Sequence, residues 1–163
     1  MSTHTLPNLA SAVPALLASS AGAQTAAAGL PSLLGRILFA SIFLMAAPMH
    51  FTAAEIGYAQ AAGVPFPHLL VPASGLLALA GALSVALGYR ARLGAWLLVA
   101  FLVPVTLALH NFWAATDAAT AQIQMAMFMK NVSILGAALL ITQFGPGPWS
   151  LDARRDSRAA QSR

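Results

Sequence analysis

Cysteine is absent from the 163 residues, and charge is nearly so, with only 7% of positions Asp, Glu, Lys or Arg. The first absence excludes disulfides, thiolate nucleophiles and Cys-ligated metals or clusters within this chain. It leaves the redox compartment open. The second excludes an ordinary water-soluble surface, since soluble domains carry about 25% charged residues. P-loop, dinucleotide-binding, hydrolase-elbow and HExxH motifs are missing as well. Residues 1–30 are rich in Ala and Ser and lack Lys and Arg. A secretory signal opens with positive charge, so this stretch reads as a mobile tail rather than a cleaved signal.

What remains is apolar, with 59% of the residues hydrophobic. One domain fits the length. A membrane span needs about 20 mostly apolar residues, and the few charges punctuate the chain at such intervals. Four spans are expected, at about 32–49, 68–87, 93–110 and 122–144. Pro31 and Ser32 suit a helix start, and Pro48 bends or ends the first span. Ala53 to Ala62 reads as a short helix lying at the interface, stopped by Gly63 and the Val64-Pro65-Phe66-Pro67 breaker. Pro104 is expected to kink the third span. Gly145-Pro146-Gly147-Pro148 stops the fourth. The expected fold is therefore all-α, a four-helix integral membrane bundle over 31–149. A basic tail, read as disordered, follows at 150–163.

The basic residues are not spread as a phosphate-binding face would require, so nucleic acid is a poor partner. Arg154, Arg155, Arg158 and Arg163 lie in the tail, Arg90 and Arg92 in one short turn, and Arg36 at the start of the first span. In a four-span topology all of these fall on one side. The other side holds Glu55 and Asp117 and no Lys or Arg in its loops. The positive-inside rule then puts both termini in the cytoplasm of a bacterial inner membrane. Arg36, Arg90 and Arg92 read as topology anchors. Trp96, Tyr89 and Trp149 would mark the inner interface, Trp113 and Tyr58 the outer.

Apolar side chains gain little by leaving lipid for one another, so spans associate through small residues and interhelical polar contacts. Ser74, Ala78, Gly81, Val85 and Gly88 recur every three or four residues and share one helix face. Arg36, Ala40, Phe43, Ala47 and His50 do the same in the first span. Ser133 and Ala137 are the small residues noted in the fourth.

Ionisable groups inside spans are costly and each needs a reason. Lys130 either snorkels to the outer surface or faces the bundle interior and holds an anionic or carbonyl-bearing ligand. Its neighbour Asn131 adds polarity. His50, His68 and His110 gather near the outer face in this topology. They come from separate segments without HxH or HxxxH spacing, and a cation lies nearby, so no metal site is expected. Instead His50, His110, Asn111, Lys130 and Asn131 are taken as the rim of a pocket for a polar head such as a quinone carbonyl. The methionines of Gln124-Met125-Ala126-Met127-Phe128-Met129 spread over several helix faces, which suits packing rather than copper binding.

Several segments together resemble the DoxX family. These are Gly35-Arg36-Ile37-Leu38-Phe39, Ala61-Ala62-Gly63-Val64-Pro65, Leu87-Gly88-Tyr89-Arg90-Ala91-Arg92, His110-Asn111-Phe112-Trp113, Phe128-Met129-Lys130-Asn131, and Phe144 through Asp152. The likeness covers about 32–153. It implies a four-span bacterial inner-membrane protein with links to terminal-oxidase, thiosulfate:quinone and oxidative-stress systems. Many members carry a glutamate in the second span, near Ala78 here; this chain has no acid between His68 and Arg90. Two functions stand at this point. One is a redox-associated or quinone-linked subunit, whose electrons would come from a partner subunit or bound cofactor. The other is a non-enzymatic scaffold or assembly factor for partner proteins. A transporter is a weaker third reading, since four spans would need to form a homo-oligomer.

Overall fold

The computed structural model describes residues 29–163, and the expected N-terminal tail lies almost wholly outside the described residues. Among them every regular element is helical. Helix α1 covers 29–46 and tightens into a 3-10 turn at Ala47–Phe51, with Pro48 early in that turn. Helix α2, Ala53–Ala61, is the short connecting helix. Helices α3, Pro67–Leu87, and α4, Ala91–Leu109, follow. A second 3-10 turn at Phe112–Ala114 leads to α5, Ala118–Phe144. Helix α6, Leu151–Gln161, closes the chain. Among the described residues, four helical segments are long and apolar enough to cross a membrane: Gly29–Phe51, Pro67–Leu87, Ala91–Ala114 and Ala118–Phe144.

Small residues set the packing. Ala40 and Phe43 of α1, Ala78, Ala82 and Val85 of α3, and Ala95, Leu98, Phe101 and Leu102 of α4 form one buried core. Arg36, Ala40, Phe43, Ala47 and His50, the face of the first span, are all buried. Helices α3 and α4 come close together at two glycines, Gly81 and Gly94. A Cβ on Gly81 would stand 2.8 Å from the Gly94 carbonyl oxygen and 2.8 Å from Leu98 Cγ. Neither backbone can retreat without opening the core, so only glycine fits there. The outermost member is α5. Only 11% of its apolar window is buried, against 33% for α3 and for α4. It packs along α4, and lipid covers most of the rest.

The arginine-bearing end of the bundle is closely tied. Pro146 and Pro148 have no N–H, so the 145–149 segment presents carbonyls with few competing donors. Gly145, Gly147 and Trp149 all take positive φ, which turns that segment sharply. Buried Arg36 donates Nη1 to the Pro146 carbonyl and Nη2 to the Trp149 carbonyl at 3.0 Å. Ser32 Oγ donates to Pro146 O at 2.7 Å. The Arg36 guanidinium thus holds the exit of α5 against the start of α1.

The tail differs from its expected disorder. Ser150 caps α6 by accepting the Ala153 amide at 3.1 Å. Asp152 then reaches the α3–α4 turn, where its carboxylate accepts the amides of Arg90 at 2.8 Å and Ala91 at 3.0 Å. The Asp152 amide donates to Gly88 O at 2.8 Å. A side chain distant in sequence thereby caps the N-terminus of α4, and α6 is docked by its first turn.

Candidate functional site

At the end of the bundle away from the arginines, the helices part. A cavity of about 480 Å³ lies there between the 3-10 turn after α1, helix α2, the start of α3 and the last turns of α4. Its walls are mostly aliphatic, with Val71, Leu77 and Val105 among them, and Phe101 adds an aromatic face. Its ionisable lining residues are His50 and Glu55.

Local structure explains how both are presented. The 3-10 turn swings His50 toward α3, where Gly75 gives it room: a Cβ on Gly75 would stand 2.6 Å from His50 Cβ. The imidazole stacks at a tilt against Phe101, with centroids 5.5 Å apart. His50 Nδ1 lies 3.1 Å from the Ala46 carbonyl oxygen. A carbonyl can only accept, so Nδ1 carries the hydrogen and the neutral ring has Nε2 as an acceptor. Glu55 stands at the third position of α2, whose N-cap is Thr52. In a capping box the glutamate would return to the Thr52 amide. Here that amide donates instead to Met49 O at 3.0 Å. The Glu55 carboxylate is left to the cavity.

The other residues expected on one rim are not brought together with His50. His110 Nδ1 lies 2.9 Å from Gln124 Oε1, Gln124 Nε2 donates to Tyr58 Oη at 3.2 Å, and Tyr58 Oη donates to Leu109 O at 3.1 Å. This polar chain ties α2, the end of α4 and α5 beside the cavity. Neither His110 nor Asn111 is among the cavity's lining residues. Asn131 is buried and donates to Thr106 Oγ1 at 3.1 Å, joining α5 to α4. His68 is exposed at the start of α3.

Lys130 is exposed, and its ammonium lies 3.6 Å from Met127 Sδ. The side chain therefore runs back toward the N-terminus of α5. Phe128 packs edge-on against Phe112 and Trp113, with centroids 5.5 and 5.8 Å apart. Lys130 thus sits two residues, about 3 Å of helix rise, inward of that turn. The exposed position does not place Lys130 in the bundle interior. The half-buried rings of Phe112 and Phe128 and the exposed ring of Trp113 form an aromatic cluster beside it.

Sequence reasoning missed Glu55 as a cavity group, and missed Tyr58 and Gln124 as a hydrogen-bonded pair. The T-x-x-E pattern at Thr52–Glu55 was legible, but its usual meaning is a reciprocal cap. Only the competing Met49 carbonyl frees the acid.

The SURF4 family model matches residues 22–157, most of the chain. The chain belongs to the SURF4 family. It is similar to the inner membrane protein YphA of Escherichia coli K12, with 33% identity over 99 residues, 61% of this chain and 70% of that protein. It is likewise similar to the inner membrane protein YqjF of the same organism, with 31% identity over 122 residues, 74% of this chain and 88% of that protein. No solved structure matches. The SURF4 assignment replaces the DoxX resemblance. Several of the segments behind that resemblance sit at turns and exits, such as the Gly88–Arg92 turn and the 144–152 exit, while Gly35–Phe39 and Phe128–Asn131 lie within α1 and α5. Turns and exits answer to needs that four-span bundles share, and so discriminate poorly between families.

Proposed function

We propose that this chain is an inner-membrane protein that binds a small apolar molecule carrying a hydrogen-bond donor head. Its site is the cavity between the 3-10 turn, α2, α3 and α4. The observation behind this reading is that His50 and Glu55 line an otherwise mostly apolar cavity, with His50 Nδ1 already engaged by the Ala46 carbonyl; the Glu55 carboxylate and, on a neutral ring, His50 Nε2 would serve as acceptors. Such a cavity, with few convergent polar groups, is the usual form of a small-molecule site. A hydroxyl or ammonium head satisfies both groups. A quinone carbonyl would face two acceptors and offer no donor, so only a reduced, hydroxyl-bearing form would suit. The names of the two Escherichia coli relatives support the inner-membrane location. The positive-inside rule supports cytoplasmic termini, because Arg90, Arg92 and the α6 arginines share one end. The cavity would then open on the outer half of the bilayer.

Purification in mild detergent with mass spectrometry of retained molecules tests this. About one apolar molecule with a hydroxyl or amine per chain is expected. Leu77→Trp, which fills the cavity, should abolish retention. Glu55→Gln exchanges a charge-assisted bond for a neutral one and should weaken binding about tenfold, near 1.4 kcal/mol. Wild-type protein that retains no such molecule, or a Leu77→Trp variant that retains it unchanged, would sink the proposal. A stable protein partner found with an empty cavity would support the scaffold reading instead.

A further inference from the structure

The tied end of the bundle holds a second and larger cavity, about 790 Å³, between the α3–α4 turn, the exit of α5 and helix α6. Arg90, Arg92 and Arg155 line it, together with Gly145, Gly147 and Ser150. Arg155 and Arg90 stand over the Tyr89 ring, with Cζ 5.4 and 5.9 Å from its centroid. Both guanidiniums are thus within cation–π range of one ring, and no side-chain acceptor bonds them among the described residues. Arg92 approaches from α4 and lies beside Gly145, whose missing side chain leaves it space.

Two carboxylates, Asp152 and Asp156, also line the cavity. Asp152 is committed elsewhere, since its two oxygens accept the Arg90 and Ala91 amides. Those bonds neutralise part of its charge against the positive end of α4. Three exposed arginines therefore line one cavity in which a single carboxylate, that of Asp156, is not already bonded to backbone. Beside the arginines the walls become apolar: Leu93 is 54% exposed and Phe144 is 74% exposed. A basic cavity at the end of membrane-spanning helices, with apolar residues on its membrane side, matches an anion that carries its own hydrocarbon.

We propose that this cavity binds a phosphate group, held by Arg90, Arg92 and Arg155. An anionic phospholipid headgroup and a free phosphate share that chemistry, and the apolar flank separates them. Docking of α6 completes the site, because Arg155 comes from that helix. Ligand binding and closure of α6 over the bundle end are then linked.

Thermal unfolding of the full chain in detergent, titrated separately with phosphatidylglycerol, phosphatidylcholine and inorganic phosphate, tests the assignment. Phosphatidylglycerol should raise Tm saturably, with half-saturation at least tenfold below that of phosphatidylcholine. A lipid source predicts that inorganic phosphate acts only at far higher concentration; equal potency would identify a free anion instead. Arg92→Gln combined with Arg155→Gln should weaken the effect at least tenfold. Arg154→Gln combined with Arg158→Gln removes the same charge outside the cavity and should change it less than twofold. Equal losses in the two pairs would overturn the proposal, because a diffuse surface charge would then account for the effect. So would a Tm indifferent to both phosphatidylglycerol and inorganic phosphate. Arg155→Gln alone, on exposed α6, gives a milder variant whose smaller loss can be read if the double variant does not fold.

Discussion

The two ends of this bundle are built on opposite plans. At the arginine end, helices are fastened by side chains reaching across long stretches of sequence: Arg36 to the carbonyls of Pro146 and Trp149, and Asp152 to the amides of Arg90 and Ala91. At the other end an apolar cavity separates the helices, and polar groups are linked in a chain beside it. Helices in lipid gain little from apolar contact. An end held by charge-assisted bonds can therefore keep the bundle together while the other end stays open to a ligand. The long-range fastenings lie at one end, and the apolar cavity proposed as a ligand site lies at the other.

The largest test of that division is Arg36→Leu. It removes the donor for several carbonyls at a buried position and should cost about 2–4 kcal/mol, since each buried acceptor left unsatisfied costs about 1–3 kcal/mol. Unfolding in a denaturing-detergent titration reads it, and ligand retention at the open end should survive wherever the variant remains folded. A loss no larger than that of an exposed arginine such as Arg158 would erase the contrast.

Next is Gly81→Leu, which drives a side chain into the Gly94 carbonyl and Leu98. Overpacking of this kind costs about 1–3 kcal/mol. Gly136→Leu on α5, where a Cβ would meet nothing within 4 Å, is the matched control and should be near neutral. Equal effects would show that the α3–α4 crossing is not the tight seam.

Asp152→Ala should cost about 0.5–2 kcal/mol, the range for a lost helix cap. Its clearer signature is release of α6. Trypsin should cut at Arg154, Arg155 and Arg158 faster than in the wild type. Unchanged cleavage would mean that α6 is held by something other than this cap.

The smallest effect belongs to Asp117, the exposed N-cap of α5. Its carboxyl lies below the usual carboxylate range, chiefly because it accepts the Thr120 amide at 2.9 Å. A depressed folded value means that its stabilisation is present above the unfolded value, about 3.9, and is lost as pH falls through the folded one. Tm should therefore be level in this respect near neutrality and decline in strong acid. Asp117→Asn should flatten that part of the acid limb, and an identical limb would refute the assignment.

Much of the fold was legible because lipid imposes a simple grammar. Runs of about 20 apolar residues between Arg36, Arg90, Arg92 and the tail had to be spans. The small residues Ala78, Gly81 and Val85 recurred at helical spacing and are buried in α3. Gly94, the partner of Gly81, was not singled out, since its value depends on which residue stands opposite. The candidate site was much less legible. His50 was visible as a histidine at a helix end, but His110, Asn111, Lys130 and Asn131 looked equally eligible on a linear map. Their rotation about each helix axis and the swing of the 3-10 turn decide which cavity each one meets.

By itself, the sequence determined the apolar character of the helices, the four candidate spans and the basic end. Those properties follow from composition and order along the chain, which hydrocarbon reads directly. Tertiary structure alone decided that Arg36 closes the bundle, that Glu55 rather than Lys130 joins His50, and that the basic tail folds back as a helix. Each depends on carbonyls, amides and side chains far apart in the chain meeting at hydrogen-bond distance, and no local pattern encodes such a meeting.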